Sequence, residues 1–347
     1  MRVSENILIS SLTTMRLGGP ARYVIEIEKP EEIPDAYGFA KTYHLPTYVL
    51  GGGANTIGRD EGFNGVIIIN RIKGIIDIDE STIKVMGGEI WDDVVEYSVN
   101  KNFTGIEALS KIPGLASAAP VQNIGAYGQE VADVLTEIEA YDTKTNTFCT
   151  LKRSDLKFSY RKSILNTTER NRYFVISITL KMREGQMARP FYNSIEKYIS
   201  DHSLTDFSPK GIREIVSRIR ADKLPDPAEK ASSGSFFKNI YLNQSEAESA
   251  IAKGYPVHHG KDGYKINSGW LIEQAGFAGQ LLHGMRVSST AALVLINESA
   301  TSYQDLEKAR NEIINKVYDK FGYWLEQEPN EILNESTLKT IKNNVGA

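Results

Sequence analysis

Between Ile112 and Gly128 the chain reads IPGLASAAPVQNIGAYG, a run made almost wholly of small residues that carries a Gln122-Asn123 pair and Tyr127. It has neither helical nor strand periodicity, and loops beyond about 12–15 residues with no secondary structure of their own are uncommon in compact domains. The run is also too apolar for a disordered linker. It is therefore an ordered loop, either packed between domains or offering its backbone to a flat ligand. Any fold that contains it must hold it from both ends. The flanking pattern supplies the means, with strands expected at 75–79, 82–86, 133–142, 147–151 and 172–182 and a helix at about 91–101.

A second glycine-rich stretch, Gly51-Gly52-Gly53-Ala54-Asn55-Thr56, follows the β-rich run Thr47 to Leu50. Glycines there let the backbone turn and its amides approach an anion without interference from a Cβ. The pattern is no Rossmann fingerprint, because Thr56 stands where the third glycine belongs and no long helix follows; nor does GxxxxGK[ST] occur. Taken alone it reads as a tight turn or as a phosphate cradle. Two backbone-rich loops in one domain suggest a dinucleotide, its pyrophosphate and its isoalloxazine or nicotinamide ring lying along them. The cofactor contacts expected are Gly51, Gly52, Gly53, Ala54 and Asn55 in the first loop, and Gly114, Gln122, Asn123, Gly125, Ala126, Tyr127 and Gly128 in the second.

The rest of the 347 residues organises around these loops as an α+β chain. Runs at 22–28, 47–50 and 65–69 with a helix at 31–43 form a small β-α-β unit. After Met182 a helix begins near Tyr192, and another at Ser208-Pro209, an N-cap followed by a first-turn proline, runs through Ile212, Ile215, Val216 and Ile219. A further α+β region holds a strand at 235–240, helices at 245–253 and 268–275, the run Ala291 to Ile296 and a long helix at about 302–321. Residues 332–347 are weakly patterned and expected as a loose tail.

Several classes of function are excluded. A net charge of -4 without a Lys/Arg block gives no footprint for nucleic acid or an anionic membrane. Cys149 is the single cysteine, which rules out an internal disulfide and speaks against zinc or iron–sulfur centres. His258 and His259 are adjacent, so on an extended chain they point to opposite faces, and no metal is expected. No signal-peptide core or run of 18 apolar residues is present. These features describe a cytoplasmic protein acting on small molecules, taken as a monomer.

Chemistry concentrates at Gly234-Ser235-Phe236-Phe237-Lys238-Asn239, which sets one hydroxyl in a glycine-started, aromatic-walled segment ending in a cation and an amide. It reads as an active-site strand, with one phenylalanine ring facing the core and the other bordering the site. Taken with Thr13-Thr14-Met15-Arg16-Leu17-Gly18-Gly19-Pro20-Ala21, GGGANT, the 112–128 loop and Tyr160-Arg161-Lys162-Ser163, this segment resembles the UDP-N-acetylenolpyruvoylglucosamine reductase (MurB) family. The resemblance runs in motif order from about Thr13 to Glu328, and the loop and GSFFKN are its most specific parts.

The resemblance implies an FAD-binding portion of the vanillyl-alcohol-oxidase type, as two α+β subdomains at 1–70 and 71–215. A substrate-binding α+β domain at 216–325 and a C-terminal segment, 326–347, returning to the active site complete the expectation. It implies non-covalent FAD, NADPH as hydride donor, and reduction of an enolpyruvyl ether to the lactyl ether of UDP-N-acetylmuramate for peptidoglycan synthesis. Within that reaction Ser235 is implied as proton donor, Arg161 as the fork that binds the substrate carboxylate beside Tyr160, and Glu328 as a second acid. The family usually reads leucine-x-proline-Glu where this chain has Leu325-Glu326-Gln327-Glu328-Pro329, so Glu326 and Glu331 are possible substitutes for Glu328. Lys223, Asn239 and Tyr192 are implied contacts for the nucleotide part of the substrate. The insertion 186–215 fits the longer subtype, whose tyrosine loop covers substrate. Two rival readings are a related FAD oxidase or dehydrogenase of a hydroxy acid or alcohol, and a flavin- or nucleotide-binding protein without turnover.

Overall fold

Isoleucines and valines spaced two apart make the first sheet. In the computed structural model, which describes residues 1–260, 263–334 and 337, strands Arg2–Leu8, Pro20–Ile27, Phe63–Asn70 and Thr47–Leu50 lie side by side in that order. The last pair is parallel, with Thr47 opposite Val66. Helix α1 (Ile33–Thr42) turns Ile33, Ala36 and Ala40 onto Ile25, Ile27, Val66 and Ile68, the inward residues of those strands.

An antiparallel sheet follows, in the order Thr147–Lys152, Leu135–Asp142, Tyr173–Lys181, Thr82–Met86, Ile75–Asp77. Its central strands Leu135–Asp142 and Tyr173–Lys181 are buried on both faces, while the edge strands stay largely exposed. Phe174 and Ile176 pack into the α1 core, while Ile178 and Leu180 pack with Trp91, Val94, Val95 and Val99 of helix α2 (Trp91–Asn100). Strict alternation would keep Ile176 and Ile178 on one face; a register irregularity opposite Glu139 and Ala140 re-aims them. Helices α3 (Asn193–His202) and α4 (Pro209–Lys223) bring Ile195, Ile199, Ile212, Ile215, Val216 and Ile219 together with Phe191 and Ala108. The Ser208 hydroxyl accepts from the Gly211 N–H at 3.1 Å, the N-cap expected before Pro209.

These elements belong to one of two compact units, formed by Met1–Ile7, Ala21–Gly52 and Asn64–Asp222. The other unit comprises Leu8–Pro20, Gly53–Phe63 and Lys223–Ala347. Both units are discontinuous in sequence, and the GGGANT stretch divides after Gly52.

The second unit has a sheet in the order Ser232–Ser235, Val294–Asn297, Met285–Val287, Leu281–Leu282 and a smaller one in the order Ile240–Leu242, Gly263–Ile266, Val257–Gly260. Helices α5 (Gln244–Ala252), α6 (Ser268–Gln274) and α7 (Tyr303–Phe321) accompany them. Helix α7 starts at a Ser302–Asp305 capping box and stops at Gly322, whose φ of 77° is left-handed. Its inward stripe of Leu306, Ala309, Ile313 and Val317 meets Phe236, Phe237, Met285 and Leu295, joined by Met15, Leu17 and Ile57 from the early segments. Thr56–Gly58 pairs in parallel with Asn330–Ile332. Among the described residues no helix is long and apolar enough to cross a membrane.

Two local expectations are corrected. The strand expected at 235–240 ends at Ser235 and resumes at Ile240. Gly234, at φ 69°, and a register irregularity between Ser232 and Ser235 break the pleat just before the phenylalanines. The two rings therefore do not face opposite sides: Phe236 and Phe237 are both 0% exposed and meet edge to face, with centroids 5.1 Å apart. The tail expectation lies largely outside the described residues.

Candidate active site

In the first unit the glycine loops touch. A Cβ on Gly52 would lie 2.9 Å from the Gly114 Cα, and one on Gly51 would lie 3.0 Å from the Ala118 Cβ, so bare backbone is what lets these segments meet. Added side chains at Gly114 or Gly128 would meet nothing within 4 Å, so the backbone there stays accessible to a ligand. Residues 112–128 are less irregular than the sequence suggested. Ala116–Ala118 forms a 3-10 turn, and Gly125–Ala126 pairs with Gln129–Glu130 as a hairpin. Its two-residue tip, Tyr127 at φ 49° and Gly128 at φ 87°, has the left-handed backbone of a tight hairpin turn.

Backbone bonds fix the loop at its near end: Trp91 N–H to the Gly114 carbonyl, Ala116 N–H to Glu89 and Ser117 N–H to Gly87. Asn123 fixes the far end. Only 1% exposed, its carboxamide donates to Glu130 and to the Ser159 carbonyl and accepts from the Ala132 N–H at 3.1 Å. Its side chain is spent on the loop itself, and its neighbour Gln122 is half-buried.

The YRKS motif is tied to the same loop. Ser163 donates to the Val121 carbonyl at 2.7 Å, and Arg161 donates from Nη2 to the Gly125 carbonyl at 2.9 Å while its guanidinium lies 5.1 Å from the Tyr160 ring centre. Arg161 takes a left-handed φ of 55°, and the Asn166 side chain holds its carbonyl at 3.0 Å.

Tyr127 and Tyr192 meet edge to face at 5.9 Å. Tyr192 caps α3 and is 47% exposed. Arg220 of α4 brings its positive charge to the Tyr127 hydroxyl; burial pushes the Tyr127 pKa up despite that charge, and burial likewise pulls the Arg220 pKa down. Sequence reading missed Arg220. The signal was present, since Arg213 and Arg220 sit seven apart beside the apolar stripe of α4, and Arg213 is itself buried against Asp92 at 2.6 Å.

In the second unit Ser235 ends its strand half-buried. The next residues pair with the C-terminal segment: Phe237 bridges Gln327, Lys238 N–H donates to the Glu326 carbonyl and Glu328 N–H donates to the Phe236 carbonyl, both at 2.9 Å. Ser235 and Glu328 thus lie on neighbouring backbones. The exposed Glu326 carboxylate takes the Lys238 ammonium. Glu331 accepts from Arg59, Arg310 and Tyr303, at 2.7 Å from the phenol. Burial alone would raise the Glu331 pKa, but the hydrogen bonds from Tyr303 and Arg59 and the charges of Arg59 and Arg310 outweigh it and hold it below the ordinary value. Asn239 accepts from the Ser268 N–H at 3.2 Å, leaving its NH2 group as the donor it can offer a ligand. The Lys223 side chain is exposed, and its carbonyl accepts from Thr290. Ala54 and Asn55 stand in the same unit, the Asn55 carbonyl accepting from Asn330 N–H at 3.0 Å. Gly53, at φ 67°, passes so close to Leu12 that a Cβ would meet its carbonyl oxygen.

Upstream of Gly234, Ser232 and Ser233 are 0% and 6% exposed, and their hydroxyls find no hydrogen-bond partner among the described residues. Ser233→Ala is therefore expected to leave stability unchanged or raise it by up to about 1 kcal/mol in denaturant unfolding. A loss of that size or more would mean that the hydroxyl is satisfied.

Residues 21–151 match the FAD binding domain family, and residues 226–332 match the C-terminal domain of UDP-N-acetylenolpyruvoylglucosamine reductase. The chain is 33% identical over 349 aligned residues to the UDP-N-acetylenolpyruvoylglucosamine reductase of Aliivibrio fischeri, covering 98% of each. It is 34% identical to that of Pasteurella multocida, covering 91% of this chain and 93% of the relative. The chain belongs to the UDP-N-acetylenolpyruvoylglucosamine reductase family. The crystal structure of the Thermus caldophilus reductase shares the fold, with a TM-score of 0.68 at 23% identity over 96% of this chain and all of that one. The fold is thus α+β, with an FAD-binding domain and a separate C-terminal domain, and the reductase family places the chain among flavin oxidoreductases. The FAD-binding match includes both glycine loops and ends before Tyr160; the C-terminal match includes Ser235, Asn239 and Glu328. The bare-backbone contact of Gly51 and Gly52 with the 112–128 loop fits the binding of such a flat, anionic group.

Proposed function

We propose that this chain reduces the enolpyruvyl ether of UDP-N-acetylglucosamine enolpyruvate to UDP-N-acetylmuramate with NADPH, a step in making peptidoglycan precursors. The observation that carries the reading is the pairing of Phe236–Lys238 with Glu326–Glu328, which sets a hydroxyl and a carboxyl on adjacent backbones within a reductase C-terminal domain. Non-covalent FAD, held along Gly51, Gly52, Gly114 and Gln122 to Gly128 with Gly53, Ala54 and Asn55 beside it, would supply hydride to the enolpyruvyl carbon distal to the carboxylate.

Arg161 binds the substrate carboxylate, its planar fork meeting both oxygens where charge grows, with Tyr160 stacked beside it. Ser235 delivers the proton to the enolate carbon. A hydroxyl is a weak acid in water, yet transfer to so basic a centre is favourable. Glu328 is the second acid, the group that would donate to the developing enediolate. Its rivals are poorly suited: Glu326 is exposed and paired with Lys238, and Glu331 is held as a carboxylate. Lys223, Asn239 and Tyr192 hold the diphosphate and uridine, and the segment around Tyr192 excludes water from the reacting groups.

The test is an anaerobic visible spectrum in one cuvette. NADPH should bleach the flavin band, and the enolpyruvyl sugar should restore it. A band that bleaches and does not return points to another oxidoreductase, and protein unable to take up FAD removes the reading. NADPH and sugar should react alternately, giving parallel initial-rate lines; intersecting lines count against a shared site.

A further inference from the structure

We propose that Gln327 is a positioning residue for Glu328, an inference that rests on the proposed role of Glu328 as second acid. The side chain of Gln327 brackets the residue that follows it. Its Nε2 donates forward to the Pro329 carbonyl at 2.8 Å and to Glu331 Oε1 at 3.3 Å, while its Oε1 accepts from Arg310 Nη1 at 2.9 Å. Arg310 is itself anchored by Glu331 at 3.1 Å, Tyr303 at 3.3 Å and Glu307 at 3.2 Å. The backbone of Gln327 bridges Phe237, and the N–H of Glu328 is bound to the Phe236 carbonyl. Pro329 adds a fixed φ on the other side. The peptide before Glu328 is thus fastened through its own N–H to Phe236, the Pro329 ring stiffens the peptide after it, and the Gln327 amide ties the Pro329 carbonyl one peptide further on, so the turn from which the Glu328 side chain leaves the backbone is held.

An amide suits this place because it donates and accepts at once. Methionine has similar length and does neither. Glutamate would keep an acceptor for Arg310 but lose the donor to Pro329 and add a carboxylate beside Glu331. A general acid loses efficiency steeply when its geometry loosens, with misplacement by about 1 Å capable of a 10²-fold effect.

The experiment compares Gln327→Met and Gln327→Glu with the unsubstituted FAD-loaded enzyme. Flavin reoxidation by the enolpyruvyl sugar should slow roughly ten- to a hundredfold in both. Reduction by NADPH and the dissociation constant for the sugar should not change. Independently of activity, the Glu328 amide should exchange hydrogen faster in Gln327→Met, while α5 and α6 keep their protection. An unaltered reoxidation rate overturns the inference, as does an equal loss in both half-reactions. If the unsubstituted protein takes up flavin but never reacts with the sugar, the functional reading fails and the positioning role falls with it. If that protein reacts and the variants match it, only the positioning role is lost.

Discussion

Replacing Ser235 with alanine is expected to slow reoxidation of the flavin by the enolpyruvyl sugar by about 10²-fold or more, the usual effect of removing a general acid. Reduction by NADPH, which needs no proton from this hydroxyl, should proceed at its former rate. Stopped-flow absorbance on anaerobic protein separates the two. The backbone argues that such a loss would be chemical: Ser235 stands half-buried at a strand end, where Gly234 has already broken the pleat, and the deletion removes one oxygen from no packed interior. Ser233→Ala, two residues upstream, is the matched control. Equal reoxidation rates with and without the Ser235 hydroxyl would end its candidacy and shift the proton to Glu328 or to water.

Glu331→Ala should be the most destabilising single substitution proposed, by about 3–5 kcal/mol, because it leaves two largely buried guanidinium groups, Arg59 and Arg310, without their shared counter-ion. Denaturant unfolding with an unchanged slope would measure it. A loss under about 1 kcal/mol would mean that the network behaves as a surface pair. The Glu331 carboxylate also makes a prediction about pH. Its folded-state pKa lies below the ordinary 4.5, so its contribution is complete above that value and drains away as the pH falls through the folded-state pKa. The stability gap between the native protein and Glu331→Gln should therefore be constant near neutrality and narrow on acidification below about pH 4.5.

Much of this molecule could be read in the chain. Thr47–Leu50, Thr82–Met86 and α2 lie within a residue or so of where periodicity put them, because each satisfies its pattern locally. Ile176 and Ile178 could not be separated into different cores from sequence, since the irregularity that parts them depends on the partner strand. The same holds for Phe236 and Phe237: alternation assumes a flat strand, and Gly234 denies it. For the candidate site, the glycine loops and Ser235 announced themselves by composition. Arg59 and Glu331, 272 positions apart, carry no mutual signal in one sequence. Arg220 and Gln327 act through side chains brought to them by packing, which only coordinates reveal.

The second unit draws on three stretches, Leu8–Pro20, Gly53–Phe63 and Lys223 onward, and this imposes an order of events during synthesis. Everything the first unit needs has left the ribosome once Asp222 has. Met15, Leu17 and Ile57 have also emerged by then, yet their core partners Phe236, Leu295, Leu306 and Ile313 have not. Two early loops must wait, apolar and uncovered, for more than a hundred later residues, a separation that makes the closure slow. An interrupted chain would carry the first unit together with orphaned apolar segments of the second, so the vulnerable moment of this protein's life falls between its two acts of folding.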